Sequence, residues 1–154
     1  MSATTVETFT CTVCRFRFDA ADQPTKCPKC RVHGGYRTFP SDKTTTTARQ
    51  NDSFRAGMVV GGCPFPGAVV VTSGVRDKGR DFVTSAILAT AFDTAFSEDN
   101  DPWGTRDFGT VTVQGDKLYW KIDCYDAARE YGSEDPSNPA KTHRVLTLLF
   151  PSEY

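Results

Sequence analysis

Four cysteines in two pairs constrain this chain more than any other feature in it. Cys11 and Cys14, then Cys27 and Cys30, are spaced as C-x2-C, twelve residues, C-x2-C. Each C-x2-C turn presents two thiolates, and the intervening segment is long enough for a tight hairpin that brings the pairs together as a tetrahedron. The spacing predicts one Zn²⁺ held by Cys11, Cys14, Cys27 and Cys30. Four thiolates close such a site and leave His33 no coordination position. The apolar side chains nearby, Phe9, Phe16, Phe18 and Tyr36, are too few to stabilise a module of this size. Zinc binding, on the order of 10 kcal/mol or more, supplies what that core lacks.

With these residues, the stretch from about 7 to 39 resembles a zinc ribbon or rubredoxin-type knuckle. Such knuckles often place glycine after the second cysteine of each pair, whereas Arg15 and Arg31 stand there in this chain. Between residues 9 and 31, Arg15, Arg17, Lys26, Lys29 and Arg31 face Asp19 and Asp22, a balance of +3. A zinc ion with four thiolates lowers that to about +1, so direct nucleic-acid binding by the module alone is expected to be weak. Arg15, Arg17 and Arg31 are candidates for local phosphate or carboxylate contacts, with Arg15 and Arg31 its candidate partner-binding residues.

The net charge of −1 over 154 residues hides an asymmetry. Residues 1–50 carry eight Lys/Arg against four Asp/Glu, while residues 51–154 carry ten against fifteen. The acidity concentrates between Asp93 and Asp135, with eleven acids against Arg106, Lys117, Lys121 and Arg129. No apolar run approaches the roughly 20 residues that span a bilayer, so no membrane association is expected. The first residues lack the charged and apolar regions of a secretory signal. A cytoplasmic, reducing location is the expectation, where paired cysteines more often hold metal than form disulfides.

Composition divides the chain into a zinc-ribbon module (1–39), a polar linker (40–47) and an acidic domain (48–154). Residues 48–56 read as a short helix stopped by Gly57, and 61–67 as a loop. A β-branched strand follows at 68–72, then a helix from Asp81 to about Phe96. Residues 110–113 and 118–122 flank Gln114-Gly115-Asp116 as a hairpin, 132–141 is a loop, and 144–150 is a last strand. About four strands and two helices without βαβ alternation predict an α+β domain with a mainly antiparallel sheet.

Asn51-Asp-Ser-Phe-Arg55, Asn100-Asp-Pro-Trp-Gly104, Asp107-Phe-Gly109, Trp120-Lys-Ile-Asp-Cys-Tyr-Asp126, Asp135-Pro136, Arg144-Val-Leu-Thr147 and Glu153-Tyr154 are similar to a family of short, uncharacterised bacterial, plasmid and phage proteins. That resemblance covers about 48–154 and carries no activity. Its distribution fits a mobile-element counter-defence inhibitor. Read physically, Asp99, Asp101, Asp107, Asp123 and Asp126 form a docking face for a protein or nucleoprotein partner, or converge on a divalent metal as in hydrolases and nucleases, or else each serves its own turn, strand end or salt bridge. An EF-hand register starting at Asp99 fails, because its twelfth residue is Thr110. No G-x-S-x-G, Walker or H-E-x-x-H motif occurs. The leading expectation is a non-catalytic binding protein that engages a nucleic-acid-handling complex. A metal-dependent hydrolase and a zinc-ribbon transcription accessory factor are the alternatives.

Overall fold

The computed structural model describes residues 3–154. Its elements are β1 (Glu7–Thr10), β2 (Arg17–Ala20), α1 (Asp42–Val60), β3 (Gly67–Val71), α2 (Ser73–Arg76), α3 (Arg80–Ala91), β4 (Phe108–Val113), β5 (Asp116–Tyr125) and β6 (His143–Leu149). Short 3-10 turns at Pro139–Lys141 and Pro151–Glu153 flank β6. The fold is α+β, as expected. The β1–β2 hairpin belongs to the cysteine knuckle, and a four-stranded sheet ordered β3-β6-β5-β4 forms the body. Only β3 runs parallel to its neighbour, β6; the other two pairings are antiparallel.

Alternation along β5 divides the sheet into two faces. Leu118, Trp120 and Ile122 are buried with Leu146 and Leu148 of β6, against Phe54 of α1 and Phe82 and Ala86 of α3. Tyr119, Lys121 and Asp123 point to the opposite face. Trp120 donates through Nε1 to Asp93 at 2.8 Å, which satisfies its one polar atom inside the core. Gly109 lies against that contact: a Cβ there would stand 2.4 Å from Trp120 Nε1 and 2.5 Å from Asp93 Oδ2. Gly109→Ala should therefore destabilise the protein by about 1–3 kcal/mol, read from a urea midpoint. An unchanged midpoint would show that the Trp120 pocket yields freely.

The polar segment read as a linker is helical. Ser41 caps α1 by accepting from Thr44 N at 3.1 Å, so the helix starts at Asp42 and absorbs 42–47. It passes Gly57 and ends at Gly61, whose φ of 73° suits glycine. No apolar periodicity announced this helix because most of its buried residues are polar. Thr47, Gln50, Asn51 and Arg55 are buried together with Ala48 and Phe54. The expected helix at 81–96 also differs. It begins at Arg80 and stops at Ala91, and a separate short α2 precedes it. The 3.6-residue pattern breaks after Ala91 because Asp93 turns to receive Trp120 and the Ala95 amide.

The knuckle is stitched to the body. Thr10 N donates to Pro40 O, and Phe9 bridges Ser41 at the head of α1. Arg37 reaches Asp101 with an Nη1–Oδ2 distance of 2.8 Å and also donates to the carbonyls of Asp101 and Phe96. Tyr36 and Trp103 meet edge to face at 4.7 Å. Phe39, absent from the expected knuckle core, is its fully buried ring, whereas Phe16 and Tyr36 are exposed.

Candidate functional site: a four-thiolate knuckle beside an arginine-lined cleft

Cys11, Cys14, Cys27 and Cys30 come together as expected, with their Sγ atoms all within 4.8 Å of one another. Cys11 and Cys30 sulfurs stand 3.8 Å apart, and those of Cys14 and Cys27 3.7 Å apart. Metal–thiolate bonds of about 2.3 Å in a tetrahedron separate neighbouring sulfurs by about 3.8 Å, so this donor set fits a metal ion. The amides of Lys29 and Cys30 both donate to Cys27 Sγ at 3.4 Å. Burial opposes the Cys27 thiolate, but those N–H groups and the neighbouring thiols outweigh it and bring its pKa down to about 6.

Each C-x2-C turn ends in a left-handed residue, and each of these is an arginine. Arg15 has φ 67° and Arg31 φ 68°. Both are solvent-exposed. Glycine fits this conformation without strain, while a side chain there costs about 1–2 kcal/mol. Arg106, in the body, has φ 55° and shares this property.

Arg15 and Arg106 look into the same cleft, about 500 Å³, which runs between the knuckle and the first half of α1. Arg17, Arg37 and Arg49 also line it, so five guanidinium groups meet three carboxylates, those of Asp42, Asp52 and Asp101. Three pairs are made: Arg17 with Asp42, Arg37 with Asp101, and Arg106 with Asp52. Among the described residues, Arg15 and Arg49 make no ion pair and leave the cleft with two free positive charges. Thr10, Thr12 and Thr45 add hydroxyl groups to the walls. Arg15 and Arg17 were candidates from the sequence. Arg37, Arg49 and Arg106 were not, because their convergence depends on the folded course of the chain around α1.

The five aspartates proposed to act together serve separate ends. Asp101 is buried and held by Arg37, and it also accepts from Arg106 N. Asp123 pairs with Lys121 on the open sheet face. Asp126 accepts from the Glu130 amide in a turn, and Asp99 is exposed in the 97–100 turn. Burial pushes the Asp107 carboxyl above its usual range; a Thr105 hydroxyl opposes this, and the charges of Asp101 and Asp123 add to it. Among the described residues, the cysteines are the one group of three or more His, Cys, Asp or Glu placed to hold a metal. Arg31 lies outside the cleft lining, on the outer turn of the knuckle. Cys124 sits opposite Arg144 in the β5–β6 register. Burial raises its thiol pKa despite the nearby guanidinium, which leaves it a poor nucleophile. Among the described residues, no helix is long and apolar enough to cross a membrane.

A family model described as a protein of unknown function (DUF3768) matches residues 71–153, from the end of β3 to the C-terminal turn. No curated protein and no solved structure matches the chain.

Proposed function

This chain belongs to the DUF3768 family, and we propose that it is a non-catalytic binding protein whose arginine-lined cleft takes the phosphate backbone of a nucleic acid. One observation carries this reading: five arginines converge on one open cleft with only three carboxylates to answer them. Guanidinium groups suit bidentate phosphate contact, and free ones beside a groove are a footprint of backbone binding. In this reading the four thiolates hold Zn²⁺, which has no redox chemistry and takes this donor set in closed structural sites. The zinc would keep the Arg15 turn rigid and so fix one wall of the cleft. The dispersal of the aspartates favours binding over the hydrolase alternative. It also moves the interface from an acidic face to a basic one, with the nucleic acid as partner, free or within a larger complex.

The left-handed arginines give this proposal a two-sided test. Arg15→Gly relieves backbone strain and should raise the melting temperature by a few degrees, roughly 1 kcal/mol of stability. The same change should weaken binding of a labelled oligonucleotide, measured by fluorescence anisotropy across a salt series. Arg15→Glu with Arg49→Glu should reduce the salt slope by about 2, since each lost phosphate contact removes close to one. Oligonucleotide affinity that survives the double variant with the same salt slope would remove the cleft from function.

A further inference from the structure

The sheet face opposite the helices carries a second assembly, independent of the cleft. Phe108, Tyr119 and Tyr154 form one aromatic cluster there. Ring centroids lie 5.1 Å apart for Phe108–Tyr119, 6.2 Å for Phe108–Tyr154 and 6.0 Å for Tyr119–Tyr154. The 3-10 turn at Pro151–Glu153 delivers Tyr154 to this cluster, pinned by Glu153 accepting from Thr72 Oγ1 and the Gly74 and Phe150 amides. Despite this anchoring, Tyr154 stays 80% exposed.

Cations alternate with these rings. In the β4–β5 register Phe108 lies opposite Lys121, Thr110 opposite Tyr119, and Thr112 opposite Lys117, all on the open face. Lys117 Nζ stands 5.4 Å from the Tyr119 ring centre. Lys121 is held by Asp123, whose hydrogen bond raises the lysine pKa and favours its charged form. Lys117 and Lys121 therefore flank the rings, with the Asp123 and Glu153 carboxylates beside them. Tyr154 is the exposed ring of the three, while Phe108 and Tyr119 are half-buried.

We infer that this open sheet face is a stacking platform for single-stranded nucleic acid, with two or three bases on Tyr154, Tyr119 and Phe108 and the flanking phosphates beside Lys117 and Lys121. Aromatic rings accept any base, and lysines follow the backbone, so the preference is for strand state over sequence. Duplex bases are stacked on each other and cannot use such rings.

The test uses full-length protein and a labelled twelve-residue oligothymidylate, with the matched duplex and thymidine monophosphate as comparison probes. Single strand should bind more tightly than duplex at fixed salt and quench tyrosine emission. Tyr154→Ala should weaken single-strand binding by about tenfold, the loss of one stacked base. Tyr154→Phe should retain it. Tyr154→Ala should leave binding of the matched duplex unchanged, because a duplex can reach the phosphate contacts of the cleft but not the rings, which separates failure of this platform from failure of the cleft. Equal affinity for duplex and single strand, with no effect of Tyr154→Ala, would overturn the inference. So would quenching by the monophosphate at the same concentrations, which would mark a nucleotide site. Self-association abolished by Tyr154→Ala would also overturn it, by assigning the face to a second copy of the chain.

Discussion

Chelating the metal, or replacing Cys27 with Ser, should unfold residues 7–39 and lower the melting temperature of the entire chain. The buried apolar side chains of the knuckle are few, essentially Phe9 and Phe39 with two of the cysteines. Metal binding at such sites is worth on the order of 10 kcal/mol, far more than those rings contribute. The effect should reach the body because Arg37, four residues from the start of α1's cap, holds the buried Asp101 carboxylate. Losing Arg37 leaves that charge buried without its partner, a cost of about 3–5 kcal/mol if the loop cannot rearrange. The two tryptophans read the events separately. Trp103 packs on Tyr36 of the knuckle and is 55% exposed, so its emission should change as soon as metal is removed. Trp120 is fully buried in the sheet and should keep its native emission until a lowered melt. If the Trp120 melt ignores the chelator, the knuckle is an autonomous unit and its contacts with the body are energetically idle.

How much of this was legible beforehand follows from which signals are local. The cysteine spacing foretold the clustering of the four thiols because ligand spacing is a chain-local property, and both C-x2-C turns fall where it put them. The β5 strand and its hairpin were equally plain, through the alternation of Leu118, Trp120 and Ile122. Helix α1 was half missed, because burial of Gln50, Asn51 and Arg55 depends on partners at Thr90, Thr105, Ser137 and Arg144. Those partners are tens of residues away and invisible to periodicity. The cleft was missed for the same reason. Once residues 42–47 are read as a spacer, Arg49 cannot be set beside Arg15. The clue that was present, arginine where a knuckle prefers glycine, marked two positions whose backbone is left-handed in the folded chain. The acidic cluster misled because charge counted along a sequence does not reveal that one carboxylate is buried under Arg37 and another tied to Lys121.

Arg144→Ala should be the most damaging single substitution in the body, destabilising it by about 3–5 kcal/mol. Arg144 lies on β6 with its side chain fully buried. Nε donates to Asn51 Oδ1 at 2.8 Å, and Nη2 to Gln50 Oε1 at 2.8 Å and Pro136 O at 2.9 Å. One guanidinium thus joins the sheet, α1 and the 133–138 loop. Gln50 and Asn51 continue the links to Ser137 O and Thr105 O. No carboxylate is among its partners, and burial accordingly lowers its pKa, although arginine keeps its proton across the accessible range. Its stabilising value lies in satisfying buried acceptors and not in charge pairing. Alanine would leave the Asn51 and Gln50 oxygens and the Pro136 carbonyl without a donor, and would open a cavity beside Phe65, whose ring centre is 5.6 Å from the guanidinium carbon. Arg144→Lys should recover little, since one ammonium cannot span three acceptors on separate elements. The decisive comparison is Arg144→Met combined with Gln50→Leu and Asn51→Leu. Removing donor and side-chain acceptors together avoids orphaned Asn51 and Gln50 oxygens, although the Pro136, Ser137 and Thr105 carbonyls lose these donors. The triple variant should therefore lose less stability than the sum of its single changes in urea titrations at equal slope. A triple variant as unstable as the sum of its single changes would mean that the three side chains act independently and that α1 is held by Phe54 and Arg55 instead.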